Sequence, residues 1–209
     1  MNKKPAAKHA ETPVEKHPAK TDTPPVQQAE KTIDTTRQAV PFDTGNIPGP
    51  KMARAVMPSV SGKMLAKARR PLLIVGSQVH DEEVLSRAIA MGKEGLQIAA
   101  VGNAYVSLGN KGLDVHYANM HALASYLCDP EWQGLDGKGN YDLVAFFGVT
   151  YYYASQAISA LKNFSKIRII SMDKYYHPNA DMSFGNLKKD VFTAALDEVI
   201  AELRNKKTG

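Results

Sequence analysis

One short, unbroken apolar run most constrains the fold of this 209-residue chain. Pro71 ends a preceding helical pattern, residues 72–75 are all apolar, Gly76 ends the run, and Asp81 is placed to cap a following helix. An apolar run with no polar break is typical of a strand that is covered on both faces, as in a parallel sheet. The run therefore predicts an α/β domain of the nucleotide-binding type.

The dinucleotide-binding fingerprint GxGxxG keeps only its first glycine, Gly76. Its second glycine lets phosphates approach the backbone, and its third lets helix and strand pack closely. Gln78 and Asp81 stand at those two positions here. Asp81, Glu82 and Glu83 also place negative charge at the positive end of the helix, where it repels a pyrophosphate. The sequence thus disfavours a tightly bound NAD.

Strand and helix patterns alternate along the rest of the chain. The predicted strands are residues 72–75, 96–101, 114–117, 143–147, 167–172 and 182–184, and the predicted helices are 61–68, 81–95, 120–127, 152–161 and 190–203. Such alternation predicts an open, doubly wound parallel sheet with right-handed crossovers.

A crevice is expected at the carboxyl ends of these strands, where ligands of doubly wound sheets bind. The residues expected to gather there are Gly76, Ser77, Gly102, Asn103, Gly148, Val149 and Asp173. The first five are the candidate contacts of a flavin or nucleotide, should one bind, and a flavin entering by the turn at Gly102 or Gly148 stays open. Asp173 either holds a ribose hydroxyl or caps the following turn.

Other kinds of site have little support in the sequence. The single cysteine, Cys128, excludes an intrachain disulfide and cannot by itself hold an iron–sulfur cluster or a structural zinc. His116 and His121 lack the patterning of a zinc site, and no serine lies in a nucleophile elbow. We therefore predict no metal ligand and no catalytic residue. The chain also lacks an apolar stretch of about 20 residues and a signal-peptide core, which favours a cytoplasmic location.

The domain boundary is predicted near residue 50. Residues 1–50 contain 8 of the 12 prolines, and Phe42 is their only aromatic residue. A segment of this composition cannot bury enough apolar surface to offset its ordering entropy. We predict a disordered Pro/Lys/Ala-rich tail over residues 1–50 and a single α/β domain over residues 51–209.

The domain also has an excess of basic side chains. Several lie before the first predicted strand and near the end of the chain: Lys63, Lys67, Arg69, Arg70, Arg204, Lys206 and Lys207. They form either a solvated face or a docking patch for an acidic protein surface. Nucleic acid is disfavoured as a partner because no stacking aromatic residues accompany the charge.

Several sequence blocks resemble the epsilon-subunit family of archaeal acetyl-CoA decarbonylase/synthase complexes. They are RPLLIVG at residues 70–76, DPEW and GKGNYD within 119–142, KNFS at 162–165 and MSFGNL at 182–187, in a match from about residue 52 to the end. The resemblance implies a Rossmann-like fold of the NAD/FAD-binding-domain type. It also implies a partner of the nickel–iron–sulfur alpha subunit in an alpha2-epsilon2 carbon monoxide dehydrogenase component, acting in acetyl-CoA cleavage or synthesis in anaerobic archaea.

Two functions remain open under this resemblance: a non-catalytic subunit that stabilises alpha, and a FAD-binding protein that passes electrons from CO oxidation to a flavin. The sequence favours the first, because it offers no cluster ligands and an altered phosphate turn. Trp132 and Phe184 are expected on the contact surface, although Trp132 can instead close the sheet edge. Tyr151, Tyr152 and Tyr153 either pack in the core, line an interface or stack on a flavin.

Overall fold

The computed structural model describes residues 33–43 and 52–205. Residues 1–32, 44–51 and 206–209 lie outside the described residues, so the disorder predicted for most of the tail stays a prediction. The strands are β1 (Arg54–Ala55), β2 (Pro71–Val75), β3 (Gln97–Val101), β4 (Val115–Ala118), β5 (Leu143–Phe147), β6 (Arg168–Ser171) and β7 (Met182–Ser183). The helices are α1 (Pro58–Lys67), α2 (Glu82–Lys93), α3 (Ala104–Leu108), α4 (Met120–Cys128), α5 (Tyr151–Phe164) and α6 (Lys189–Asn205), with a 3₁₀ turn at Ser77–His80.

The seven strands form one sheet in the order β1-β7-β6-β5-β2-β3-β4, and every neighbouring pair is parallel. From β2 the chain adds β3 and β4 on one side and then returns to add β5 on the other. The strand order therefore reverses between β2 and β5, which is the switch point of a Rossmann fold. The predicted fold class, an open doubly wound parallel sheet of Rossmann type, is confirmed.

The sheet separates two apolar cores. Leu73 and Val75 of β2 belong to the core under α1, α2 and α6, whereas Leu72 and Ile74 belong to the core under α4 and α5. All four side chains are almost fully buried. The unbroken apolar run of β2 follows from this arrangement, because successive strand residues point to opposite faces and both faces are covered.

The element boundaries follow the predictions with a few differences. The α1 helix begins at Pro58, three residues before the predicted start, because proline is well suited to a first turn whose N–H groups have no partner. Asp81 caps α2 as predicted, accepting a hydrogen bond from the Glu83 amide, and Asn119 caps α4 by accepting from the amides of His121 and Ala122. The β1 strand and the α3 helix were not predicted. Both are short, with two and five residues.

The segment 33–43 packs on the domain, and here the structure differs from the predicted tail boundary at residue 50. The Thr35 side chain is fully buried, and its hydroxyl donates a hydrogen bond to the carbonyl oxygen of Val56 at 2.5 Å. The Gly185 amide donates to the Thr35 carbonyl oxygen at 2.7 Å. A Cβ atom on Gly185 would lie 1.8 Å from the Arg37 carbonyl oxygen, so only glycine permits this approach. The domain thus includes residues before position 50.

Candidate functional site

A cleft of about 280 Å³ lies at the carboxyl ends of β2, β3, β4 and β5, where the strand order reverses. It is lined by Gly76, Ser77, Val101, Gly102, Tyr117, Ala118, Asn119, Met120, His121, Val149, Thr150 and Tyr153. The expected crevice is therefore present, and four of the seven residues expected in it line its wall. Pockets for drug-sized ligands usually occupy about 300–1,000 Å³. The cleft is small for a dinucleotide.

The turn after β2 is in contact with the turn after β5. The Gln78 amide donates a hydrogen bond to the Gly148 carbonyl oxygen at 2.8 Å. A Cβ atom on Gly76 would lie 2.4 Å from the Val149 Cα and 2.5 Å from the Gly148 carbonyl oxygen. Gly76 therefore permits two backbone turns to meet. In the dinucleotide fingerprint, the first glycine serves this tight turn and the second makes room for phosphate. Gln78 stands at that second position here.

The turn after β3 is hydrogen-bonded to the turn after β2. The Ser77 hydroxyl accepts a hydrogen bond from the Asn103 amide at 3.1 Å. A Cβ atom on Gly102 would lie 2.6 Å from the Ser77 Oγ, and Gly102 has a φ of +59°, a conformation that favours glycine. Among the candidate contacts, Ser77 therefore bonds to Asn103 and lies close to Gly102, whereas Gly76 meets the turn after β5. Whether any of them contacts a flavin stays a prediction.

The start of α2 is occupied by carboxylates of the chain itself. The Asp81 side chain accepts from the Glu83 amide at 3.0 Å, which takes one of the amides that would otherwise face an anion. Lys189 of α6 pairs with Asp81 at 2.6 Å and with Glu83 at 3.3 Å. This ammonium lowers the pKa of Asp81 and partly neutralises the acidic cluster. The repulsion expected from the sequence is therefore weaker than predicted, because Lys189 offsets part of the negative charge.

Aromatic side chains form the far wall of the cleft. The rings of His121 and Tyr153 lie edge to face with centroids 5.7 Å apart. Tyr151 points inward instead, where it stacks on His177 at 4.3 Å and donates its hydroxyl to the Tyr176 carbonyl oxygen. The three consecutive tyrosines therefore divide as helical geometry requires. Tyr151 packs in the interior, Tyr153 lines the cleft and Tyr152 is exposed.

Asp173 follows β6 but does not line the cleft. It is buried, and its Oδ1 accepts from the Lys174 amide at 3.0 Å. Burial raises its pKa to about 7, while the amides of Lys174, Val149 and Gly148 act in the opposite direction by stabilising the carboxylate. Of the two predicted roles, the structure shows the one in which Asp173 supports backbone turns.

Nothing in the sequence indicates that His177 is buried. It is almost fully buried, and burial alone lowers its pKa to about 3. Its Nδ1 lies 3.5 Å from the Ser155 hydroxyl, and its Nε2 has no hydrogen-bond partner. A sequence signal could not have revealed this, because burial depends on the loop that follows β6 being folded under α5.

Trp132 lies between the rings of Tyr126 and Tyr141, at centroid distances of 5.6 and 5.9 Å, against the core under α4. Phe184 is fully buried, so its predicted place on a contact surface is wrong. The alternation of the short β7 strand turns it into the core.

Part of the predicted basic patch is paired within the chain. Arg70 binds Asp136 at 2.6 Å and also donates to the Gly139 carbonyl oxygen, which holds the long loop before β5. Lys63 pairs with Glu202 at 3.6 Å. These contacts favour the solvated-face interpretation over an acidic docking partner. Lys206 and Lys207 lie outside the described residues.

Residues 33–43 and 52–205 contain no group of three or more His, Cys, Asp or Glu side chains that could hold a metal ion. The same residues include no helix that is both long enough and apolar enough to span a bilayer.

Comparison with known proteins identifies relatives along most of the chain. The profile of the family "CO dehydrogenase beta subunit/acetyl-CoA synthase epsilon subunit" matches residues 35–200, a range that includes most of the segment packed before β1. An acetyl-CoA decarbonylase/synthase complex subunit epsilon from Methanothrix soehngenii is 44% identical, over 85% of this chain and 98% of that protein.

Two further relatives carry the same description. Subunit epsilon 1 from Methanosarcina barkeri is 44% identical over 82% of this chain and 99% of that protein, and subunit epsilon 1 from Archaeoglobus fulgidus is 39% identical over 78% and 91%. A solved D-arabinose dehydrogenase from Sulfolobus solfataricus aligns with a TM-score of 0.35 at 12% identity, covering 72% of this chain and 49% of that one, which is too low to support a conclusion. The family match and the identities agree: the chain belongs to the CO dehydrogenase beta subunit/acetyl-CoA synthase epsilon subunit family.

Proposed function

We propose that this chain is a non-catalytic accessory subunit of an acetyl-CoA decarbonylase/synthase complex. In this proposal it binds and stabilises the nickel–iron–sulfur subunit of the carbon monoxide dehydrogenase component, in an alpha2-epsilon2 assembly in the cytoplasm. Family membership and relatives that are named as epsilon subunits support the assignment to the complex.

The accessory role is supported chiefly by the contact between the two turns at Gly76. A phosphate can approach the first turn of a Rossmann fold only where the backbone is open. Here Val149 and Gly148 fill the space beside Gly76, and the next residues form a 3₁₀ turn before α2 begins. The chain thus keeps the scaffold of a cofactor domain, while this close contact and the replacement of the second fingerprint glycine by Gln78 leave less room for a phosphate.

The chemistry of the cleft points in the same direction. Electron transfer requires a redox centre, and the alternative function needs a flavin. The small volume of the cleft, about 280 Å³, and the hydrogen bond between its turns support the accessory role over a flavin site. In the proposal, therefore, CO oxidation and electron transfer belong to the larger subunit, and this chain contributes binding and stability.

The proposal is tested by producing the larger subunit of the same complex with and without this chain, under anaerobic conditions. We expect the two proteins to elute together at the mass of a two-plus-two assembly. We also expect CO oxidation by the larger subunit to survive heating longer in the presence of this chain. Separate elution, with equal lifetimes of activity, would contradict the accessory role.

A further inference from the structure

The helical layer formed by α4 and α5 is almost free of charge. The nine residues of α4 include no Asp, Glu, Lys or Arg, and the fourteen residues of α5 include only Lys162. The Lys162 ammonium is itself paired with Asp181. Charged side chains are common on exposed helix faces, because one face of an amphipathic helix meets water. An uncharged outer face on two adjacent helices therefore needs an explanation beyond the folding of this chain.

Exposed aromatic side chains stand on this layer and around it. Phe164 at the end of α5 is 75% exposed, Tyr117 beside α4 is 61% exposed, and Tyr126 on α4 is 54% exposed. Aromatic residues are enriched in protein interfaces and charged residues are depleted from interface cores. The composition of this face is therefore that of an interface core.

The shape of the layer is concave on both sides of α4. A groove of about 440 Å³ runs between α4 and α5 and is lined by Ser125, Cys128, Ala160 and Phe164, among others. A second groove of about 350 Å³ separates α4 from the long loop and includes Tyr126 and Trp132. His121 lines both the first groove and the cleft, so the concave surface continues to the switch point of the sheet.

From these observations we propose that the α4–α5 face is the surface on which the larger subunit of the complex docks, through an apolar and uncharged patch of that subunit. The inference rests on the proposed function and adds the location and chemistry of the contact. The occupant is argued from charge: an acidic or basic partner surface would lose hydration on this face without gaining an opposite charge. The α2–α6 side is unsuited to the same apolar partner because it carries many charged side chains, several of them paired with one another.

Two exposed serines provide a matched test. Ser125 lies on α4 in the groove, and its hydroxyl donates to the His121 carbonyl oxygen four residues earlier. Ser86 lies on α2, and its hydroxyl donates to the Glu83 carbonyl oxygen three residues earlier. Both are exposed, so Ser125→Arg and Ser86→Arg add the same charge and volume without removing a core contact. Affinity for the purified larger subunit is measured for the full-length chain and for each variant, alongside their melting temperatures.

We expect Ser125→Arg to weaken binding by about 30-fold or more, the level of an interface hot spot, and Ser86→Arg to leave it within about twofold. Equal affinities of the two variants and the wild-type chain would overturn the proposed face while leaving the proposed function standing. A wild-type chain that does not bind the larger subunit would contradict the proposed function itself. A self-association that Ser125→Arg abolishes, with binding to the larger subunit unchanged, would assign the face to a second copy and overturn the proposal.

Discussion

The two helical layers differ sharply in what they show to solvent, although both cover the same sheet. α2 and α6 together carry ten charged side chains, whereas α4 and α5 carry one. Several charges of the first layer are joined in pairs, such as the double contact of Arg87 with Asp197 at 2.9 and 2.8 Å. Exposed ion pairs of this kind stay hydrated, so an apolar partner surface gains little by covering them. In the proposed docking, the α2–α6 side of the domain meets water and the α4–α5 side meets the partner protein.

The two layers differ only in their outer faces if their inner faces are equally well packed on the sheet. Leu161 of α5 and Leu196 of α6 are both fully buried, each in a different core. We expect Leu161→Ala and Leu196→Ala each to lower the free energy of unfolding by about 2–5 kcal/mol, because each leaves a cavity. Urea unfolding at one pH measures both. A loss below about 1 kcal/mol at Leu161 alone would mean that α5 is loosely held, and its uncharged outer face would then need no partner to explain it.

The α4–α5 side also buries two ionisable side chains, Asp173 and His177, near the start of α5. Asp173 has a pKa of about 7 in place of 3.8, so the stability it contributes is complete at low pH and is lost as the pH rises through 7. His177 has a pKa of about 3 in place of 6.5, so its contribution is present above 6.5 and is lost as the pH falls through 3. The two dependences oppose each other between about pH 4 and 6.5.

Asp173→Asn removes one of these opposing dependences. We expect the unfolding free energy of this variant to fall as the pH is lowered from about 6.5 to 4, with a slope of up to about 1.4 kcal/mol per pH unit relative to wild type. His177→Gln is the matched control and shifts the slope in the opposite direction. Denaturant unfolding at several pH values measures both slopes. Slopes that match that of the wild type in both variants would show that neither group titrates differently in the folded chain.

The ion pairs on the charged layer are expected to matter least for stability. Arg87 and Asp197 are partly exposed, so solvent screens their attraction. A double-mutant cycle with Arg87→Ala and Asp197→Ala should give a coupling of about 0.3–1 kcal/mol that decreases with added salt. A coupling above about 2 kcal/mol would mean that these charges hold α2 to α6, and the charged layer would then be structural as well as hydrated.

Local patterns predicted the sheet well. The unbroken run at β2, the cap at Asp81 and the strand β5 carry their signals within a few residues, and the structure places them where the sequence predicts. The position of the cleft followed from topology alone, because strand ends must meet at the switch point.

The features that sequence reasoning missed depend on distant partners. β1 pairs only with β7, more than a hundred residues later, and Thr35 is buried because Gly185 lets the chain pass close to it. The contact at Gly76 likewise depends on Val149, in the turn after β5, which is remote in sequence. Hydrophobic periodicity and helix caps are local patterns, so they do not predict contacts between residues that are far apart in sequence. The charge-free faces of α4 and α5, by contrast, can be read directly from the sequence once the helices are known.

In the proposed function, the tight turn after β2 admits no phosphate and the domain binds a protein in place of a dinucleotide. The most direct measurement is an anaerobic titration of the full-length chain with FAD, followed by flavin absorbance and fluorescence. We predict no saturable binding up to about 1 mM FAD, which corresponds to a binding free energy weaker than about −4 kcal/mol. One flavin bound per chain with a dissociation constant near 1 μM, about −8 kcal/mol, would contradict the account.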